Sequence, residues 1–212
     1  MQLKVLFMET GNIQEDLSHI RSMMERSSRF LSLSGLSGVF AGLTALAGAV
    51  YIYFLLKRYE IDYFDGKRII FSKELVSELF MAGIVILGIA VLLGYFFTAR
   101  KSRSKKLKIW DATSRRLLLH FAIPLVAGAI FCLGMLYHGL FVFIAPATLI
   151  FYGLGLVNAS KYTFGDVKYL GLMEMALGLI SLFFLGWGLI FWAIGFGILH
   201  IIYGLLMHRK YH

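Results

Sequence analysis

A single cysteine, Cys132, stands in a chain of 212 residues. No disulfide within the chain can form, no cysteine-based metal site can be built, and cysteine usage says nothing about the compartment. Proline is scarce, with only Pro124 and Pro146. Charged residues make up 16% of the chain, against about 25% in ordinary soluble domains. The HExxH, P-loop, GxSxG and paired-cysteine patterns are all missing, which removes the readings those motifs support. We therefore expect neither enzymatic activity nor a cofactor. Two-histidine haem ligation needs histidines at matched depth on facing helices. His120 and His200 both lie toward one side, so that reading is not favoured.

What is abundant is apolar: 59% of residues are hydrophobic and 22 are glycine. Long apolar runs with many glycines mark helices packed in a bilayer. A crossing helix needs about 20 apolar residues. Six stretches qualify: Leu33–Leu56, Val76–Ala99, Leu117–Tyr137, Leu140–Val157, Tyr169–Leu185 and Leu189–Met207. The last two are short and closely joined, so a re-entrant pair is the alternative to two full spans. The expected fold is an all-α polytopic membrane bundle, residues 32–212. Residues 1–31 precede it as a cytoplasmic amphipathic helix, in which Ile13, Leu17, Ile20, Met24 and Leu31 recur at helical spacing. That helix either anchors at the membrane surface, binds a partner or docks on its own loops. Its acids Glu9, Glu15, Asp16 and Glu25 argue against a cleavable signal peptide. Met8 is a candidate alternative start.

The formal net charge is +9. In a membrane protein such an excess reports orientation before it reports nucleic acid, and no nucleic-acid partner is expected. Of the Lys and Arg residues, 16 fall on the side of the termini and 5 in the first loop. The positive-inside rule then puts both termini in the cytoplasm. Arg100, Lys101, Arg103, Lys105 and Lys106 cluster at one boundary, where they should meet anionic lipid headgroups. The first loop alternates Tyr59, Ile61 and Tyr63 before Asp65-Gly66, the pattern of a short β-hairpin.

Small residues line the first span in two stripes. One is Ser34, Gly38, Gly42, Ala45 and Ala49; the other is Ser37, Ala41, Thr44 and Gly48. Close backbone approach on two sides makes this span central in the bundle. A homodimer seam on Ser34-xxx-Gly38-xxx-Gly42 is the other reading.

Two ionisable residues stand deep in the last two apolar runs. Glu174 and His200 each lie 13 residues from Trp187 at the turn. Antiparallel packing would bring them to one level, and ionisable groups at membrane depth mark a functional hypothesis with a nameable partner. Glu174 shares a stripe with Gly171, Gly178 and Ser181; His200 shares one with Ala193, Gly197 and Gly204. The pair reads as a proton relay or polar ligand anchor, or as an interhelical bond that locks the hairpin. Pro124 cannot donate to the carbonyl of His120, leaving that carbonyl for a ligand, a neighbour or water. Pro146 invites the same two readings. Tyr152, Asn158 and Tyr162 can add polar contacts nearby. Glu78 sits near the outer end of its span, within reach of the interface.

Two stretches carry a resemblance. One is Ile20-Arg21-Ser22-Met23-Met24-Glu25-Arg26-Ser27-Ser28-Arg29-Phe30, continuing through Ser34-Gly35-Leu36-Ser37-Gly38-Val39. The other is Gly195-Phe196-Gly197-Ile198-Leu199-His200-Ile201-Ile202-Tyr203-Gly204. They resemble six-span inner-membrane proteins of Bacteroidetes and Acidobacteria that have no assigned activity. The resemblance implies a bacterial inner-membrane location. Members encoded beside winged-helix regulators add a hint of signalling. Two functions follow as expectations: a small-molecule or ion binding or transport protein using Glu174 and His200, or a non-catalytic sensor or assembly subunit that holds a cytoplasmic partner.

Overall fold

A computed structural model describes residues 34–61, 71–105 and 109–211. The expected N-terminal helix and the centre of the expected first-loop hairpin lie outside the described residues. Within them the chain is helical and no strand occurs. Six helical rods follow in order. They are α1 (Gly35–Arg58), α2 (Lys73–Ser104), α3 (Ala112–Tyr137), α4 (Phe141–Tyr162), α5 (Val167–Ser181) and α6 (Leu185–Tyr211). Regular α-helix in α4 runs from Ile144 to Ala159, with 3-10 turns at both ends. α6 changes pitch midway: Ala193–Leu199 is π-helical, and His200–Tyr211 returns to α.

All the rods except α5 are long and apolar enough to cross a bilayer. α5 has 15 residues, about 22 Å at the α-helical rise, short of the roughly 30 Å hydrocarbon thickness.

The ends are set by local chemistry. Ser72 Oγ accepts from Leu75 N–H at 3.2 Å and starts α2. Asp111 and Ser114 form a reciprocal capping box at α3, with Ser114 N–H to Asp111 Oδ1 at 2.7 Å and Asp111 N–H to Ser114 Oγ at 2.8 Å. α3 stops at Gly139, whose φ of 71° is left-handed. Leu140 N–H bonds the Met135 carbonyl and Gly139 N–H bonds that of Leu136, the Schellman arrangement. α1 ends the same way, on Lys57 and Leu56, but its left-handed residue is Glu60 at φ 56°.

α1 packs against α2 on one side and α6 on the other; α4 packs against α3 and α5; α6 joins the two groups by lying on α4 and α5. The first span is thus packed closely on two sides, as its two stripes imply, but the central rods are α4 and α6, each with three neighbours. A Cβ on Gly42 would lie 2.6 Å from the Gly197 carbonyl, and one on Gly38 3.2 Å from the Gly204 Cα. The Ser34–Gly38–Gly42 face is thus filled by α6 of the same chain and is not open as a dimer seam. The second stripe meets α2, where a Cβ on Gly48 would run into Ile86. α2 and α3 form the edges and turn Leu87, Leu92, Phe96, Leu119, Val126 and Ile130 outward. Apolar faces of this extent mark a surface covered by something other than water, and they are compatible with an integral membrane protein.

Candidate functional site

Glu174 is completely buried, and His200 retains only 6% exposure. α5 carries the first and α6 the second, and the His200 Nδ1 to Glu174 Oε1 distance is 3.2 Å. The meeting is less aligned than an ordinary ion pair. Nδ1 also stands 3.0 Å from the Gly195 carbonyl. A carbonyl can only accept, so Nδ1 carries a hydrogen, and that N–H is aimed at Gly195. Neither carboxyl oxygen of Glu174 receives an aligned hydrogen bond. We take the 3.2 Å contact as electrostatic proximity rather than a formed hydrogen bond. The other ring nitrogen, Nε2, is 2.8 Å from Tyr152 Oη of α4. Tyr152 and Phe196 flank the imidazole as ring neighbours.

The wall opposite Oε2 is tight. A Cβ on Gly195 would lie 2.5 Å from Oε2 and 2.5 Å from Leu149 Cδ2, and Leu149 is itself 0% exposed. Gly195 is the third residue of the π-helical segment, whose wider turn brings its carbonyl to the His200 ring. π-Bulges recur at functional sites. An isolated charge here would cost many kcal/mol. Uptake of one proton by the pair would remove such a charge, either as carboxylate with imidazolium or as carboxylic acid with imidazole.

Tyr152, expected only as a polar contact on its own span, and the π segment with Gly195 are the site's parts that the Glu174–His200 spacing does not announce. The close spacing of Gly195 and Gly197 was the available signal.

The other expected site residues lie elsewhere. Ser181 is fully buried, and its hydroxyl donates to the Gly178 carbonyl of its own helix at 3.3 Å, so it does not meet Glu174. His120 forms a separate cluster. Its Nε2 is 2.9 Å from Tyr162 Oη, the two rings stack with centroids 4.7 Å apart, and Asn158 Nδ2 donates to the carbonyl freed by Pro124 at 2.8 Å. That carbonyl is answered by a neighbouring side chain. Pro146 frees nothing comparable, because it lies in the first turn of the regular helix Ile144–Ala159, where a missing N–H costs little. Glu78 accepts from Tyr59 Oη at 2.8 Å.

The glycine stripes beside the pair pack tightly, but not on each other. Gly171 faces Gly153, and Gly178 faces Pro146 and Ile150, all on α4; Gly197 and Gly204 face Leu46 and Val39 on α1. In the basic cluster, Arg100, Arg103 and Lys105 are exposed; Lys101 lies over the Phe164 ring, and Lys105 Nζ donates to the Tyr211 carbonyl at 3.3 Å. Lys106 lies outside the described residues. Lys101 and Lys105 thus each also contact the protein, at Phe164 and Tyr211. There Asp166 accepts from Lys210 Nζ at 2.8 Å and Tyr211 Oη at 2.9 Å. The bond from Lys210 holds the Asp166 carboxyl below the usual aspartate range.

An apolar hollow of about 350 Å³ opens between α3 and α4, lined by Phe131, Met135, Phe151 and Leu182 among others. Glu174 is not among its walls. No group of three or more His, Cys, Asp or Glu able to hold a metal occurs among the described residues. No family model, curated protein or solved structure matches this chain.

Proposed function

We propose that this chain is a multi-pass protein of a bacterial inner membrane, with both termini in the cytoplasm, that binds a small ligand or ion at the Glu174–His200 pair. The observation that carries this reading is a fully buried carboxyl group without an aligned hydrogen-bond donor, set against an imidazole that directly follows a π-helical segment. A purely structural lock would be expected to satisfy both carboxyl oxygens, because leaving a buried acceptor unmade costs about 1–3 kcal/mol. Orientation rests on the 16-to-5 distribution of basic residues. Arg100 and Arg103, exposed at the end of α2, suit contact with anionic headgroups.

The test is Glu174→Gln and His200→Ala in reconstituted protein. Both variants should fold, judged by helical content and gel-filtration profile, and both should lose any ligand- or proton-dependent response. Wild-type behaviour of both in every assay sinks the proposal. One observation favours the second reading, a sensor or assembly subunit without transport: Glu174 and Leu149 are packed to zero exposure. Solvent access to Glu174 in some other state separates the two. A cysteine at position 174 that never reacts with water-soluble thiol reagents under any condition supports the sensor.

A further inference from the structure

Three features at the α4–α5–α6 junction bear on what the pair binds. The first is size. Oε2 faces a gap between Gly195 and Leu149 that a single methyl group would overfill. Hard metal cations take about six oxygen ligands, and this wall offers a methyl carbon and a glycine Cα. The second is the imidazole itself, which stands between two oxygens on opposite nitrogens: Glu174 Oε1 at 3.2 Å from Nδ1, in proximity only, and Tyr152 Oη hydrogen-bonded at 2.8 Å to Nε2. The third is an asymmetry in where polar side chains stand along the last hairpin. Tyr203, one turn beyond His200, has a buried hydroxyl without a hydrogen-bond partner. It packs on the same cluster as Tyr152 and Tyr211. Tyr211 in turn reaches Asp166 at the surface. Toward the other end, Ser181 bonds its own helix, and Leu182, Leu185 and Leu189 follow.

We propose that the cation taken up at Glu174 is a proton, delivered from the Asp166 end of the bundle through Tyr152 and His200. The inference rests on the reading of the Glu174–His200 pair as a ligand site. Loading starts from neutral His200 protonated on Nδ1 and a Glu174 carboxylate. A hydronium ion at the Asp166 end supplies a proton that reaches Tyr152 Oη. The proton Tyr152 already held moves to His200 Nε2, and the Nδ1 proton moves to Glu174 Oε1. Each transfer breaks one bond to hydrogen and forms one, and the hydronium ion leaves as water. The site ends uncharged, with a carboxylic acid and the Nε2–H imidazole. The titratable group facing the pair is Tyr152 from α4; Tyr203 stands farther along α6 on the Asp166-side cluster, and α1 presents Gly38 and Gly42 to the same stretch of α6.

Infrared difference spectroscopy on proteoliposomes after a pH step tests this. The expected result is a protonated-carboxyl C=O band that Glu174→Gln deletes and the control Glu78→Gln leaves. Tyr152→Phe should keep the band at equilibrium and slow its appearance about 100-fold, the lower end of what a positioned proton-transfer group contributes. Exchanging choline for Na⁺ at fixed pH should not move it. If Glu174→Gln fails to fold, Glu174→Asp takes its place, shifting the band instead of removing it. An unchanged rate in Tyr152→Phe overturns the route and leaves the ligand site standing. Competition by Na⁺ overturns the proton and also leaves the site standing. A band that survives every change at position 174 overturns both.

Discussion

Replacing Gly195 with alanine pits two effects of opposite sign against each other. In a helix interior, Gly→Ala ordinarily stabilises by about 0.5–1 kcal/mol, since glycine loses more backbone freedom on folding. Here the new methyl would sit 2.5 Å from both Glu174 Oε2 and Leu149 Cδ2. Either side chain could yield on a surface, but both are fully buried, and overfilling a packed interior costs about 1–3 kcal/mol. The balance is a destabilisation of about 1–2 kcal/mol. For a chain of this size that lowers Tm by about 2–8 °C. Thermal unfolding of the purified protein in one detergent measures it. The double variant Gly195→Ala/Glu174→Ala isolates the cause, because removing Oε2 should recover at least about 0.5 kcal/mol as a coupling energy. A raised Tm for Gly195→Ala would refute the packing argument: backbone propensity would then outweigh contact, and the carboxyl would have room the geometry denies it.

Glycine contacts predict opposite signs elsewhere too. Gly42→Ala drives a methyl into the Gly197 carbonyl and should lower Tm, whereas Gly83→Ala meets nothing within 4 Å and should raise it slightly. Glu60→Gly should stabilise by about 1 kcal/mol in the same melt, since a non-glycine residue held left-handed costs about that much. Asp166 makes stability depend on acid. Its folded-state pKa is depressed by the bond from Lys210, so its contribution is complete above the unfolded value, about 3.9, and vanishes as pH falls through the lower folded value. Asp166→Asn should flatten that part of the curve of Tm against pH and leave the neutral region parallel to wild type.

The six rods and the Glu174–His200 contact were legible for related reasons. Apolar runs of bilayer length have few alternatives, and two ionisable groups equidistant from a turn must come to one level if the turn closes. What stayed hidden is choice of neighbour. A stripe such as Gly171–Gly178 announces close approach but not to which helix, since a bare backbone suits any partner. It faces α4 rather than α6. Tyr152 is distant in sequence, and no periodicity ties it to His200. Nothing in the charges of Lys101 and Lys105 tells headgroup from protein, and their contacts to Phe164 and Tyr211 join residues far apart in sequence. Pro146 loses its expected consequence because the regular part of α4 starts at Ile144, four residues later than hydropathy suggests.

The shortness of α5 bears on whether the last hairpin crosses completely or dips and returns. Lys210 of α6 bonds Asp166 just before α5, so the outer ends of the hairpin share one level. Leu189 packs with Leu55, Leu56, Phe71 and Leu75, the cluster at the far end of α1. From Lys210 back to Leu189 is 21 residues, about 31 Å of helix, enough for the hydrocarbon thickness. α5 covers about 22 Å of that depth, and Leu182–Gly188 has only about 9 Å to make up. A full crossing then puts the turn at the level of Glu60, whereas a re-entrant loop keeps it near Arg209. Single cysteines introduced at Glu60, Gly186 and Arg209 in the otherwise cysteine-free Cys132→Ala chain test it with an impermeant thiol reagent on sealed cells. Positions 60 and 186 should label from outside, and position 209 only after the membrane is opened. If 186 behaves like 209, the hairpin does not cross, and Glu174 lies far nearer the basic surface than a relay of three side chains requires.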